Sequence, residues 1–251
     1  MLTMILTLAT SASLGLWGFQ ADDAKKLEAE AKEKVAAFQK ALSKAKKDDD
    51  VIAAIEELGK TRHEKILDAL KTWVFKGSVD IRTAAIREVG KYEKEKAAAD
   101  LLLDAAAKSK EPEIAVKCLR GVGDVGVRAV AKELLRFFEN KSLDVAAEAV
   151  DACGALKSKA TIGPLIDLVR RMEQIKDDDG APVPGPDPGP GPGPGPGPAP
   201  RDNQKDKKAK LLPAALSALR SITGEDKKDG QAWTQWWQKN QATWKEAEEK
   251  K

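Results

Sequence analysis

A short helical segment that ends on glycine recurs along the chain and constrains its fold more than any other feature. Residues 80–90, 113–123 and 144–154 each begin with an acidic residue, carry small and apolar residues at helical spacing, and end on glycine. The closing glycines, Gly90, Gly123 and Gly154, follow one another at a nearly constant interval. A fixed period of this length indicates helical units that stack on their neighbours to bury a shared core. The pattern therefore predicts an all-α chain of stacked helical hairpins.

Two further copies extend the pattern in both directions. Residues 51–59 end on Gly59, which precedes Gly90 by the same interval that separates Gly123 from Gly154. Residues 211–224 fit after a slip of the apolar positions by a single residue. Each of the first four copies is followed by a second predicted helix, over residues 63–75, 93–108, 125–139 and 157–174. We therefore expect the repeats to occupy residues 51–176, with a last repeat helix after residue 209.

The predicted array has a covering helix at each end and one interruption. Residues 22–50 are expected to contain the N-terminal capping helix, over about 22–47, because one narrow apolar stripe runs along an otherwise charged segment. Residues 177–208 contain alternating Gly and Pro without the three-residue period of collagen, which predicts a disordered insertion inside one hairpin. Residues 209–251 are expected to form the last repeat helix and a tryptophan-rich capping helix.

Residues 1–21 carry no charged side chain, and charge begins abruptly at Asp22. This pattern predicts a signal peptide over residues 1–21 and an exported protein, periplasmic or secreted. The alternative is an uncleaved membrane anchor, because the apolar run approaches the roughly 17 residues needed to span a bilayer.

Composition narrows the possible functions. The 43 basic and 40 acidic residues leave a net charge of +3, which gives no argument for nucleic acid as a partner.

The two cysteines, Cys118 and Cys153, fall on predicted core positions about one helical turn apart in the stack. We expect them to pack as small apolar residues, with a disulfide as the minor alternative.

Residues 81–90, and the segment 160–169, resemble the HEAT-like repeats of bacteria, in the short form also seen in phycobilisome-lyase-type repeat proteins. The resemblance covers about residues 51–224 outside the insertion, and it implies an α-solenoid. The ending from Ile222 through Trp237 to Asn240 is similar to that of some exported bacterial HEAT-like proteins. In this family the second helix of each hairpin lines a concave surface that often binds partners.

Three arginines are the candidate contacts on that surface. Arg87 and Arg120 lie three residues before a closing glycine, and Arg220 occupies the corresponding place in the slipped copy. They could bind an acidic protein segment. The alternative is ion pairing between neighbouring repeats, with Glu56 opposite Arg87 and Asp151 opposite Arg120, which adds only about 0–1 kcal/mol for each exposed pair.

A second candidate surface lies near the C-terminus, where Trp233, Trp236 and Trp237 share one face of a predicted helix and Trp244 lies close to it. Indole rings cover a large area, so these residues are expected mainly to seal the last hairpin. The alternative is an exposed platform that binds a peptide or a glycan.

The remaining chemical motifs predict no catalytic, cofactor-binding or metal-binding residue. The segment Gly121–Gly126 fits G-x-G-x-x-G but follows a helix rather than a strand, so it lacks the context of a dinucleotide site. The only histidine, His63, is expected at a solvated helix start. The acidic runs at 48–50 and 177–179 lack EF-hand spacing, and helix capping is the expected role of the first.

The sequence as a whole predicts an exported, non-enzymatic scaffold that binds a protein of unidentified type and needs no cofactor. Two alternatives stay open. The resemblance allows a lyase-type enzyme or enzyme accessory, and a retained N-terminal segment would make the protein a membrane-tethered adaptor.

Overall fold

The computed structural model describes residues 14–175 and 203–245, with side chains from residue 24 onward in the first range and from residue 204 in the second. Every regular element in these ranges is helical. This confirms the all-α fold class, and the consecutive packing of the helices fits an α-solenoid of HEAT-like repeats. The chain forms two compact units, Met1–Tyr92 and Glu93–Lys251.

The first unit contains two antiparallel helical pairs. Helix α2 packs against both α1 and α4, and α3 packs against both α1 and α4, so the pairs lie side by side. The helices are α1 (Leu14–Leu42), α2 (Asp48–Leu58), α3 (Glu64–Phe75) and α4 (Val79–Gly90).

The second unit stacks three helical pairs, and its last helix covers one of them. Helices α6, α7 and α9 pack side by side in one layer, and α10 packs on α8. The elements are α5 (Lys96–Lys108), α6 (Pro112–Val125), a 3₁₀ helix (Arg128–Phe137), α7 (Leu143–Leu156), a 3₁₀ turn (Lys159–Thr161), α8 (Ile162–Gln174), α9 (Asn203–Thr223) and α10 (Gly230–Asn240).

The pairing of helices into hairpins differs from the prediction. Each helix formed by a repeated copy packs closely on the helix that precedes it, as α4 does on α3, α6 on α5 and α9 on α8. The sequence pattern had paired each copy with the helix that follows. A repeat read from one sequence fixes the period but not where the unit begins, because both pairings have the same period.

The predicted helix over residues 125–139 is wrong in type and in its start. Helix α6 continues to Val125 and is capped by Gly126, whose φ of +72° suits glycine. The chain then forms the 3₁₀ helix, in which Ala131, Leu134 and Phe137 are buried at intervals of three residues. A 3₁₀ helix has three residues per turn, so these side chains line one edge that faces the core.

The repeated glycines do not all end their helices as predicted. Gly123 and Gly154 lie two residues before the last residue of α6 and of α7. A Cβ at Gly154 would lie 3.0 Å from the Cα of Ala218 on α9, and one at Gly123 would lie 3.3 Å from the Cβ of Ala155. The missing side chain therefore lets neighbouring helices approach closely, which outweighs the lower helix propensity of glycine.

Several predicted segment boundaries also move. Residues 48–50 belong to α2 rather than to the N-terminal capping helix, because Asp50 Oδ2 accepts hydrogen bonds from the amides of Lys46 and Lys47 at 3.0 and 3.2 Å. This confirms the capping role for that acidic run. Residues 203–208, predicted as the end of the insertion, form the first turns of α9, where Lys208 Nζ donates to the carbonyl of Ile175 at 3.0 Å.

Two predicted segments fall wholly or partly outside the described residues. Helix α1 begins at Leu14, within the predicted signal peptide, and residues 1–13 are not described. Residues 176–202, which include the whole Gly-Pro tract, are not described either. The helices on both sides of that tract, α8 and α9, pack along each other, so the tract connects the two halves of one hairpin. Disorder of the tract stays a prediction.

Candidate functional site

The candidate arginine of the first unit, Arg87, forms the ion pair predicted from the sequence. On α4 its guanidinium contacts the carboxylate of Glu56 on α2, and the side chain remains 54% exposed. The same guanidinium lies 3.5 Å from Glu88, whose side chain is only 2% exposed. Arg87 is therefore accessible to solvent, but two carboxylates already balance its charge.

Glu88 is a buried acid that the sequence analysis missed. Its carboxylate also accepts from Lys91 Nζ at 2.6 and 2.7 Å. A Cβ at Gly59 would lie 2.7 Å from Glu88 Cγ, so the glycine that follows α2 makes room for this side chain. Only one feature of the sequence hints at this contact, which is that Gly59 stands about one repeat before Glu88. Glu88 thus lies buried between α4 and the end of α2, where Arg87 and Lys91 neutralise its charge.

Arg120 of the second unit pairs with Glu148 of α7, and not with Asp151 as predicted. The guanidinium Nε and Nη2 donate to the two carboxylate oxygens at 3.1 and 2.8 Å. Glu148 lies one helical turn before Asp151 and has the longer side chain. Such a two-pronged contact is stronger than a single hydrogen bond. The packing of α6 on α7 thus brings Glu148 to Arg120, whereas matching the repeats in the sequence had predicted Asp151.

Asp151 lies beside this pair without a hydrogen bond to Arg120. The pKa of its carboxyl is raised by desolvation and by repulsion from Glu148, and the positive charge of Arg120 partly offsets both effects. The residue is nevertheless exposed on the surface. Arg120, Glu148 and Asp151 therefore form a charged cluster across α6 and α7, which we call the α6–α7 cluster.

Arg220, the third candidate, does not form an ion pair with a neighbouring repeat. Its Nε donates at 2.6 Å to Asp226, which follows the end of α9. The side chain is 51% exposed. The contact is local in sequence, so Arg220 holds the turn before α10 rather than continuing the α6–α7 cluster.

The tryptophans lie against one another along α10, but they differ in burial. Trp233 is fully buried, whereas Trp236, Trp237 and Trp244 are half-buried. The ring centroids of successive partners are 5.7, 6.1 and 6.4 Å apart. Lys159 lies over the Trp237 ring at 6.0 Å and donates to the carbonyl of Trp244 at 3.1 Å. The burial of Trp233 supports the capping role, and a platform role stays a prediction for the outer rings.

The other sequence motifs have structural roles. His63 caps α3, where its Nδ1 accepts from the amide of Lys65 at 3.2 Å, as expected for a helix start. Cys118 and Cys153 are both fully buried thiols, which confirms their core positions. Burial raises the pKa of the Cys153 thiol to about 12. Its thiolate is thus scarce at neutral pH, and Cys153 packs as an apolar residue.

Two surface grooves were not predicted from the sequence. One groove, of about 270 Å³, lies between α1 and α2 and is largely apolar. Phe38 and Leu58 line it, and so do the charged residues Lys34 and Glu57. The other, of about 460 Å³, lies between α8 and α10. Its lining residues all have polar side chains, and they are Arg170, Gln231, Thr234, Gln235 and Gln238. We call it the α8–α10 groove.

Stacked helical pairs with an exposed charged layer define the class of protein as a helical repeat protein. Residues 35–115 match the sequence model of the HEAT repeats family, which supports a HEAT-like repeat protein. HEAT repeats generally mediate contacts between proteins. A search of curated proteins finds no match to the chain.

Two surveys of the described residues complete the description of the site. Within residues 14–175 and 203–245, no helix is both long enough and apolar enough to cross a membrane. The same part of the chain contains no group of three or more His, Cys, Asp or Glu side chains placed to hold a metal ion.

Proposed function

We propose that this protein is an exported, non-enzymatic HEAT-like repeat scaffold that binds another protein through the α6–α7 cluster. The observation that carries the proposal is the exposure of that cluster. Helices α6 and α7 pack through their buried apolar faces, whereas Arg120 is 64% exposed and Asp151 faces solvent. The core does not require these charges, so they are available to a partner.

The charge arrangement favours a partner that carries both signs of charge. Arg120 is neutralised by Glu148, while Asp151 has no ion pair among the described residues. A partner cation can bind Asp151, and a partner carboxylate can compete for Arg120. Such rim contacts mainly steer association and set specificity.

Site-specific crosslinking tests this proposal. A photoreactive residue at position 151 should capture a discrete protein from extracts of the native host, and Arg120→Glu should abolish that capture. A photoreactive residue at Lys132, exposed on the 3₁₀ helix, is the matched control and should not capture it. Equal capture from both positions, or capture that survives Arg120→Glu, would contradict the proposal.

Export is a separate part of the proposal, supported by the absence of charge in residues 1–21. The intact mass of the mature protein decides it. A chain that starts near Asp22 supports cleavage and export, whereas retention of the preceding residues supports the membrane-tethered alternative.

A further inference from the structure

The α8–α10 groove is a preformed surface, because α10 is fastened to α8 where α10 begins and is anchored by a buried ring on its opposite face. The carboxylate of Glu173 on α8 accepts from the amide of Gly230 at 2.9 and 3.1 Å. A Cβ at Gly230 would lie 2.6 Å from Cγ of Arg170, so the two helices touch where α10 begins. Trp233, fully buried, anchors the opposite face of α10. A ligand would therefore meet side chains whose backbone is already positioned.

Among the described residues, Arg170 is the only charged one that lines the groove. Its guanidinium forms no ion pair within that part of the chain. Its neighbour Arg171 differs, because Nη1 of Arg171 contacts the carboxylate of Glu139. Glu173 is engaged by the Gly230 amide, and Asp167, one turn earlier on α8, is not among the lining residues. The groove therefore has an uncommitted positive charge, unlike the paired arginines Arg87, Arg120 and Arg220.

The opposite wall of the groove is a row of primary amides on α10. Gln231, Gln235 and Gln238 recur at helical spacings of four and three residues, and all three are exposed. The first two are separated by about 6 Å along the helix axis. Two residues of an extended chain span a similar distance, about 6.6 Å. Each amide both donates and accepts hydrogen bonds, so the row matches the alternating N–H and C=O groups of an extended backbone.

We propose that the α8–α10 groove binds an extended, acidic segment of a partner protein. A carboxylate of that segment pairs with Arg170, and its main chain hydrogen-bonds with the glutamine row. This goes beyond the proposed function in naming a second surface and the chemistry of its ligand. It depends on that function only in that the ligand is a protein, and it does not involve the α6–α7 cluster.

An acidic run of this same chain is tested as a competitor. Asp177, Asp178 and Asp179 follow Ile175 in the sequence. They lie outside the described residues. Their substitution by asparagine therefore forms one arm of the test.

The experiment measures binding of a fluorescein-labelled peptide, Gly-(Ser-Glu)₄-Gly, to the full-length protein by fluorescence anisotropy at low salt. The comparison peptide has Lys in place of each Glu. We expect the acidic peptide to bind and the basic peptide not to bind. Arg170→Ala should weaken binding about tenfold or more, because it removes a charge-assisted hydrogen bond. Combined alanine substitution of the three glutamines should weaken it severalfold.

Matched controls separate the groove from general attraction to positive charge. Arg171→Ala removes an adjacent arginine that is already paired, and Lys239→Ala removes an exposed positive charge of α10 that does not line the groove. Both should leave peptide affinity unchanged, and melting curves should show that every variant is folded. If Arg171→Ala weakens binding as much as Arg170→Ala does, the proposal is overturned.

The asparagine variant of residues 177–179 completes the test. Tighter peptide binding by this variant supports the groove and shows that the chain's own acids compete for it, and unchanged affinity supports the groove without that competition. If the acidic peptide binds neither the wild-type protein nor this variant at millimolar concentration, the proposal is overturned. The peptide assay reports on the α8–α10 groove and crosslinking at position 151 reports on the α6–α7 cluster, so failure of this proposal is distinguishable from failure of the proposed scaffold function.

Discussion

Helices α1 and α10 both cover repeat helices, but they do so with different kinds of contact. Of the α1 side chains that are described, only Ala31 and Phe38 are buried, and charged groups make further contacts. Glu28 accepts from Lys65 Nζ at 2.8 Å, and Glu30 accepts from Thr61 at 2.9 Å. Helix α10 instead inserts the fully buried Trp233. A covering helix can thus combine a modest apolar contact with solvated charges, or rely on one fully buried ring.

The difference in contacts implies a difference in response to solution conditions. The stabilisation from exposed charges is weakened by salt and changes with pH. The stabilisation from a buried ring is much less sensitive to either. We therefore expect α1 to be weakened by acid and by salt, and α10 to be weakened mainly by loss of apolar volume.

The largest expected effect is that of Trp233→Ala. Loss of a fully buried indole should reduce the free energy of unfolding by about 3–5 kcal/mol, measured by urea unfolding with circular dichroism. Trp244→Ala, at a half-buried ring, is the control and should lose much less. Trp233→Phe should retain much of the stability, because the Trp233 Nε1 has no hydrogen-bond partner among the described residues. Equal losses at Trp233 and Trp244 would contradict the assignment of Trp233 as the anchor.

The next effect concerns the single large apolar contact of α1. Phe38 is 6% exposed and meets Trp73 edge-to-face at 6.2 Å. Phe38→Ala should cost about 3 kcal/mol, the lower end for a buried phenylalanine, since the site borders the apolar groove beside α1. Hydrogen exchange should accelerate chiefly in α1. Uniform acceleration across α2 to α4 would show that α1 is not a separable cover.

A smaller effect is expected where α10 is fastened at its start. Glu173→Ala removes the acceptor of the Gly230 amide and should cost about 1 kcal/mol, because the carboxylate is exposed to solvent. Exchange of the first amides of α10 reports the loss. Gln174→Ala, next in sequence and also exposed, should leave those amides protected.

The smallest effect is the pH dependence of α1. Hydrogen bonds from Lys65 and then Lys32 hold the pKa of Glu28 at about 2, below its ordinary value of 4.5. A hydrogen bond from Thr61, and then one from Lys34, lowers the pKa of Glu30. A lowered folded-state pKa means that this stabilisation is complete above about pH 4.5 and is lost as the pH falls towards 2.

The double variant Glu28→Gln, Glu30→Gln tests this pH dependence. It should melt slightly below the wild-type protein at pH 7, and the difference should shrink towards pH 2 and in 1 M salt. A difference that persists at pH 2 would show that the two side chains act by packing rather than by charge.

The repeat pattern of the sequence predicted most of the helices, because their apolar residues recur at helical spacing. The exception is the 3₁₀ helix over Arg128–Phe137. The ion pair of Arg87 with Glu56 was also predictable, because both residues occupy the same place in successive repeats. In each case the deciding contacts are local or follow the period itself.

Other features could not be predicted because they depend on the offset between neighbouring helices. A shift of one helical turn is enough to bring Glu148 rather than Asp151 to Arg120. The same limit applies to Arg170, whose importance depends on which carboxylates reach it and which do not. The role of Gly154 likewise became clear only from its close approach to Ala218.

The sequence by itself determined that this protein is a stack of helices with a nearly constant period, because apolar spacing and glycine placement are local properties. Only the tertiary structure decided which helices pair, which glycines allow close packing and which arginines are already neutralised. Those properties depend on distances between side chains far apart in the chain, and a shift of a single helical turn is enough to change them.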